Sequence, residues 1–224
     1  MKLLRGLVIF LIVTLLFAPA LQGQNFSRYR DFSFGMSLGD LSKQVDGQST
    51  DVNTIHQHPA LIQQLTWWPP PPSEPSPQAE PVREILFSFY NGQLYRFVLA
   101  YDSFATEGLT AEDMIQALSA KYGVATRPAA TVKFQTNENY ETPEKVIACW
   151  GDSQYSLILF HSSLSHNFGL VMLSKVLNAQ AEAAAVEAVK LEREEAPQKR
   201  VEQAKTTAHD LEAARQRNIK AFRP

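Results

Sequence analysis

The chain has 224 residues, 45% hydrophobic and 20% charged, and its 21 Lys and Arg against 23 Asp and Glu leave a formal charge of −2. A mild negative charge without a basic cluster argues against nucleic acid and against an anionic membrane surface as partner. Cys149 is the single cysteine, which excludes an intramolecular disulfide, so the core must hold by packing.

Residues 1–20 have the order of an export signal. Lys2 and Arg5 precede an apolar run over 6–17 broken only by Thr14, and Ala18-Pro19-Ala20 supplies a small-x-small cleavage pattern. An apolar core of about a dozen residues is too short to anchor across a ~30 Å hydrocarbon layer. The reading is therefore a signal cleaved at Ala20 or slightly later, with an uncleaved anchor as the alternative. It directs the chain out of the cytoplasm, to a periplasm or outside the cell, with no stable membrane span after cleavage. No cysteine lies near the cut, which argues against lipoprotein processing. Beyond a short mature N-terminus at 21–28, residues 29–174 read as one α+β domain and 175–224 as a helical tail.

Residues 29–34 are expected as a strand ended by Gly35, followed by a short helix with Ser37 as N-cap, Asp40 at N3 and Leu38, Leu41 and Val45 as its apolar stripe. Residues 61–68 form the next expected strand, or begin with a helical turn. Seven prolines over 69–81 remove backbone donors and require an extended, solvated loop. Residues 82–90 and 93–101 are apolar, aromatic-rich runs joined by Asn91-Gly92, the pairing that tolerates the positive φ of a type I′ hairpin turn. Both faces of that hairpin carry large apolar groups, which places it in mid-sheet with cover on each side.

Thr110 starts a second helix through Tyr122, with Asp113 at N3, Gly123 as stop and Met114, Ile115, Leu118 and Tyr122 facing the core. Strands follow over 145–150, 154–161 and 168–174. The starts Ser37-x-x-Asp40 and Thr110-x-x-Asp113 each precede about three strands, which fits a duplicated α-β-β-β unit whose sheets merge. It also fits the plainer view that helices commonly start this way. From 175 to 221 the chain is rich in Ala, Glu, Lys, Arg and Gln and free of glycine. A helix over 178–221 would reach roughly 65 Å, with a kink or a break at Pro197.

Chemistry-bearing patterns are sparse. His56-x-His58 lacks a third ligand at useful spacing for a metal. Asp102 and Asp152 sit at strand ends, where turn formation accounts for them as readily as catalysis. The chain has no Gly-x-Ser-x-Gly elbow, HExxH, phosphate-cradling Gly-rich loop or CxxC. Cys149 beside Trp150 reads as a packed strand residue. The sequence therefore leans away from an enzyme and names no catalytic residue, metal or cofactor. Two contact surfaces remain. Trp67-Trp68 either forms an aromatic platform beside the prolines or closes the core edge. Val201, Ala204, Ala208 and Leu211, continued by Arg215, Asn218 and Phe222, lie at heptad spacing, short of the three to four apolar heptads of a coiled coil. The tail is then a solvated helix, a helix for self-association or an envelope protein partner, or disordered.

The run from Ile85 through Asn91-Gly92 to Arg96, Gly108-Leu109-Thr110-Ala111-Glu112-Asp113-Met114, Ala120-Lys121-Tyr122-Gly123 and Trp150-Gly151-Asp152-Ser153-Gln154-Tyr155-Ser156 resemble a family of exported bacterial hypothetical proteins, as does the closing Asn218-Ile219-Lys220-Ala221-Phe222-Arg223-Pro224. The resemblance implies export and covers most of the mature chain, but transfers no activity. Gly35-Met36-Ser37-Leu38 is loosely similar to the helix start of small modules of the outer-membrane barrel-assembly machinery. That likeness concerns fold at most, because the extra strand, proline loop and tail depart from it. Together these readings give a mainly antiparallel α+β domain with two short capped helices and a long charged C-terminal helix. The expected role is non-catalytic binding or scaffolding in the bacterial envelope, with self-assembly through the tail and, more remotely, a hydrolase as alternatives.

Overall fold

The computed structural model describes residues 25–45, 50–70, 82–132, 144–162 and 167–223. The expected export signal at 1–20 and most of the expected proline-rich loop lie outside them. In chain order the elements are β1 (Arg28–Tyr29), β2 (Phe32–Ser33), α1 (Leu38–Gln44), β3 (Thr50–His56), β4 (Ile62–Trp67), β5 (Val82–Tyr90), β6 (Gln93–Tyr101), α2 (Ala111–Tyr122), β7 (Thr131–Val132), β8 (Glu144–Gly151), β9 (Tyr155–His161), β10 (Phe168–Ser174) and α3 (Lys175–Ala221).

The β5–β6 hairpin turns at Asn91 and Gly92, both at positive φ, 48° and 79°, as a type I′ turn demands. It sits inside an eight-stranded antiparallel sheet of order β3-β4-β5-β6-β10-β9-β8-β7. Each half is thus a helix followed by a four-stranded meander, and the halves meet where β6 pairs with β10, Val98 opposite Val171. The order is palindromic, and the repeat holds four strands rather than three. The extra members, β3 and β7, are edge strands. β3 reads Thr-Asp-Val-Asn-Thr-Ile-His and is mostly exposed, so it lacks the apolar alternation that reveals a strand in sequence. Residues 29–34, expected as one strand, instead form the tight β1–β2 pair, with Arg30 at φ 52° in the turn.

One face of the sheet is covered by α1 and α2. Ile85, Phe87, Phe97, Leu99, Leu159 and Leu170 from the strands pack with Leu41 of α1 and Met114, Ile115 and Leu118 of α2 in one buried cluster. Each such side chain contributes about 1.5–3 kcal/mol by leaving water. Phe34 stacks on Phe97 of the first half at 4.7 Å and on Tyr155 of the second at 5.2 Å, so one ring spans the junction. Trp150 Nε1 on β8 donates to the Gly123 carbonyl at 3.0 Å and to Ser119 Oγ at 3.2 Å, fastening the end of α2 to the sheet.

The opposite face is of different character. Leu86, Val98, Phe160 and Val171 form a small apolar cluster there. Gln64, Thr66 and Ser88, in register across β4 and β5 with that set, are buried as well. α3 packs against β10 and β6. Leu177, Ala181, Ala184, Ala188 and Leu191 recur at three- and four-residue steps as its buried or half-buried stripe. Lys175 Nζ holds the start of α3 by donating to the Asp152 carbonyl at 2.6 Å, and Glu192 Oε1 meets His56 Nδ1 of β3 at 2.9 Å. α3 is a single element through Pro197, and past Ala196 none of its residues is buried.

Candidate functional site

The two strand-end aspartates are engaged in local structure. Asp152 Oδ1 accepts from the backbone N–H groups of Gln154 and Tyr155 at 2.7 and 2.8 Å, shaping the β8–β9 turn. Asp102 Oδ1 likewise accepts from Ala105 N at 3.0 Å. Both carboxylates therefore hold turns, and they do so at separate connections. His56 faces α3 through Glu192. Among the described residues no three His, Cys, Asp or Glu side chains stand close enough to hold a metal ion. Cys149 is half-buried on β8 opposite Ile158, and burial pushes its thiol pKa up, away from the reactive thiolate.

The tryptophan pair divides. Trp67, on the helix-covered face of β4, lies edge-on to Phe32 at 5.7 Å and packs on the main core. Trp68, one residue on, turns outward and is 38% exposed. The two rings thus serve different surfaces, and only Trp68 offers a contact.

A shallow cleft of about 460 Å³ lies where the β6–α2 connection meets the starts and ends of β10 and β9. Phe104, Thr106, Glu107, His161, Asn167 and Phe168 are among its walls, and Phe104 is 85% exposed. Nearby, Ser162 Oγ donates to Glu144 Oε1 at 3.1 Å. Sequence patterns did not reveal this cleft, because its lining comes from three separate stretches of chain.

The largest exposed feature is α3 itself. The 25 residues from Pro197 to Ala221 extend it by roughly 37 Å at 1.5 Å per residue. Val201, Ala204, Ala208 and Leu211 are all exposed, the valine at 53% and the leucine at 71%. Apolar surface gathers at the distal end, where Leu211, Ala214, Arg215, Asn218, Ile219 and Phe222 line one patch. Ile219 and Ala214 fall outside the strict heptad, which is why that spacing passed over them; the 3.6-residue period captures them. The flanking charges are paired along the helix: Lys199 Nζ meets Glu195 at 2.8 Å and Arg215 meets Glu212 at 3.4 Å. The hydrogen bond from Lys199 holds the Glu195 carboxyl below its ordinary pKa.

No family model, curated protein or solved structure matches the chain. No helix among the described residues is long and apolar enough to cross a membrane. The geometry offers an anchored sheet domain bearing a long exposed helical arm.

Proposed function

We propose that this chain is a non-catalytic binding or scaffolding module of the bacterial envelope, and that α3 is its contact arm. One observation carries the reading: α3 leaves the sheet after Ala196 and continues as helix for about seven further turns with Leu211, Ile219 and Phe222 exposed. An isolated helix of that length gains little from propensity alone, so a surface that receives its apolar groups gives the arm a purpose. The order of charge, apolar run and small residues over 1–20 supports export, as does the resemblance of the hairpin and tail to exported bacterial proteins.

The test is site-specific photocrosslinking in intact cells, with a reactive side chain placed in turn at Val201, Leu211, Ile219 and Phe222 and, as control, at exposed Glu187 on the docked half of α3. A contact arm gives a defined adduct, with protein or with lipid, from the distal positions and none from Glu187. No adduct from any distal position overturns the reading. Self-association is the second reading, favoured by the heptad spacing of Val201, Ala204, Ala208 and Leu211, and gives adducts at twice the mass of the chain.

A further inference from the structure

We infer that the distal end of α3 together with the two residues after it, 211–223, seats on an anionic bilayer surface. The inference rests on the contact-arm reading and names what the arm meets. Net charge over the whole chain hides a sharp division. Residues 213–223 hold Arg215, Arg217, Lys220 and Arg223 and no acid, while residues 21–212 hold 15 Lys and Arg against 23 Asp and Glu, a formal −8. The chain is bipolar, with its cations at the far end of a helix that lifts them away from an acidic body.

The distal face is amphipathic in the manner of an interfacial helix. At about 100° per residue, Phe222 and Ile219 fall within roughly 80° of Leu211. Arg217 and Lys220 occupy the flank and the opposite side, from which their long stems reach phosphates while the apolar arc enters the acyl boundary, and Arg223 follows just beyond the helix end. Arg215 lies within the arc, but its guanidinium is drawn aside to Glu212 at 3.4 Å. Leu211, Ile219 and Phe222 are 71%, 57% and 78% exposed, so none of the described residues of the body covers them.

Geometry explains why the body does not prevent this. A domain of formal −8 is repelled by anionic lipid, but Leu211 lies roughly 21 Å of helix beyond Pro197, more than two Debye lengths of ~8 Å at physiological salt. A second copy is the weaker occupant: the apolar stripe spans barely two heptads, short of a coiled-coil seam. A bilayer requires no matching ridge.

The experiment is co-sedimentation of the chain from Leu21 onward, which contains every described element, with vesicles of phosphatidylcholine alone or with about one-third phosphatidylglycerol. Binding is expected to the mixed vesicles and to fall steeply with salt. Arg217→Gln with Lys220→Gln lowers the partition coefficient about twentyfold. Ile219→Ser with Phe222→Ser lowers it about tenfold or more. Circular dichroism confirms that each variant keeps its helix. Equal binding to neutral vesicles, no binding, or indifference to the Gln pair overturns the inference. A dimer in lipid-free solution that the Ser pair abolishes, without vesicle binding, also overturns it and leaves the contact arm standing with a second copy as occupant. Absence of both vesicle binding and distal photocrosslinks overturns the two readings together.

Discussion

His56 and Glu192 stand 136 positions apart in the chain and meet at 2.9 Å, Nδ1 to Oε1, tying edge strand β3 to α3. The histidine side chain is 12% exposed and the carboxylate 55%, so the contact is half-open to water and its net worth is under about 1 kcal/mol. Its role is placement: it marks where α3 parts from the sheet. Glu192→Ala is expected to leave global unfolding within ~1 kcal/mol of wild type while speeding hydrogen exchange of the α3 amides around 188–196. Unchanged exchange in that stretch would show that the contact does not fix the exit of the helix.

Two alanines on the same helix separate its docked half from its projecting half. Ala188 is fully buried and Ala208 is exposed. Asp at either site carries a similar loss of helix propensity, about half a kcal/mol. Ala188→Asp also buries a carboxylate against the sheet and is expected to cost several kcal/mol in urea unfolding. Ala208→Asp is expected to cost no more than the propensity difference. Equal costs would mean that α3 is not docked at Ala188, or that 208 is covered.

Pro197 is the third marker on α3. It lies inside an uninterrupted helical element, where a proline normally costs about 3 kcal/mol. Because the residue is exposed and beyond the sheet, that cost falls on the arm alone. Pro197→Ala is expected to raise helicity by circular dichroism at elevated temperature without moving the cooperative transition of the sheet domain. A shift in that transition would couple the arm to the core.

Much of this architecture was legible because local chemistry and tertiary context agreed. Asn91-Gly92 set the hairpin, Ser37 and Thr110 set the helix starts, and glycine-free composition set α3. β3 escaped because an edge strand exposed over Thr50–Thr54 needs no apolar alternation. The sandwich of Phe34 between Phe97 and Tyr155 was invisible because it joins three distant stretches. On the arm, Leu211 was legible from heptad spacing and Ile219 was not, because a lone helix follows the 3.6-residue period. The charge division was present in the sequence all along and was lost in the chain-wide average.

Gly169 on β10 sits directly opposite Phe160 on β9, and a Cβ built there would strike the phenylalanine ring. The ring is buried and uses the space a side chain would occupy. Gly169→Ala is expected to destabilise the domain by about 1–3 kcal/mol through overpacking, measured by urea unfolding. Phe160→Leu alone costs on the order of 1 kcal/mol, and combined with Gly169→Ala it should recover part of the loss. Strict additivity of the two changes would remove the steric explanation.

Thr110 and Asp113 form a reciprocal cap on α2. The Thr110 hydroxyl accepts from Asp113 N at 3.2 Å, and an Asp113 carboxylate oxygen accepts from Thr110 N at 2.8 Å. Hydrogen bonds from the Thr110 side chain and then its backbone hold the Asp113 carboxyl below its ordinary value of 3.8. A group whose pKa is depressed by folding stabilises the native state above its unfolded value, and that contribution is lost as pH falls through the folded one. Thr110→Ala is expected to cost about 1 kcal/mol at neutral pH. Asp113→Asn should be less stable than wild type at pH 7, and the gap should narrow as pH drops below 3.8, where the unfolded carboxyl takes up its proton first, and close as pH passes the lower folded value. Urea titrations at pH 7 and near pH 2.5 decide the matter: a difference that stays constant between them would mean the ionised carboxylate contributes nothing to the cap.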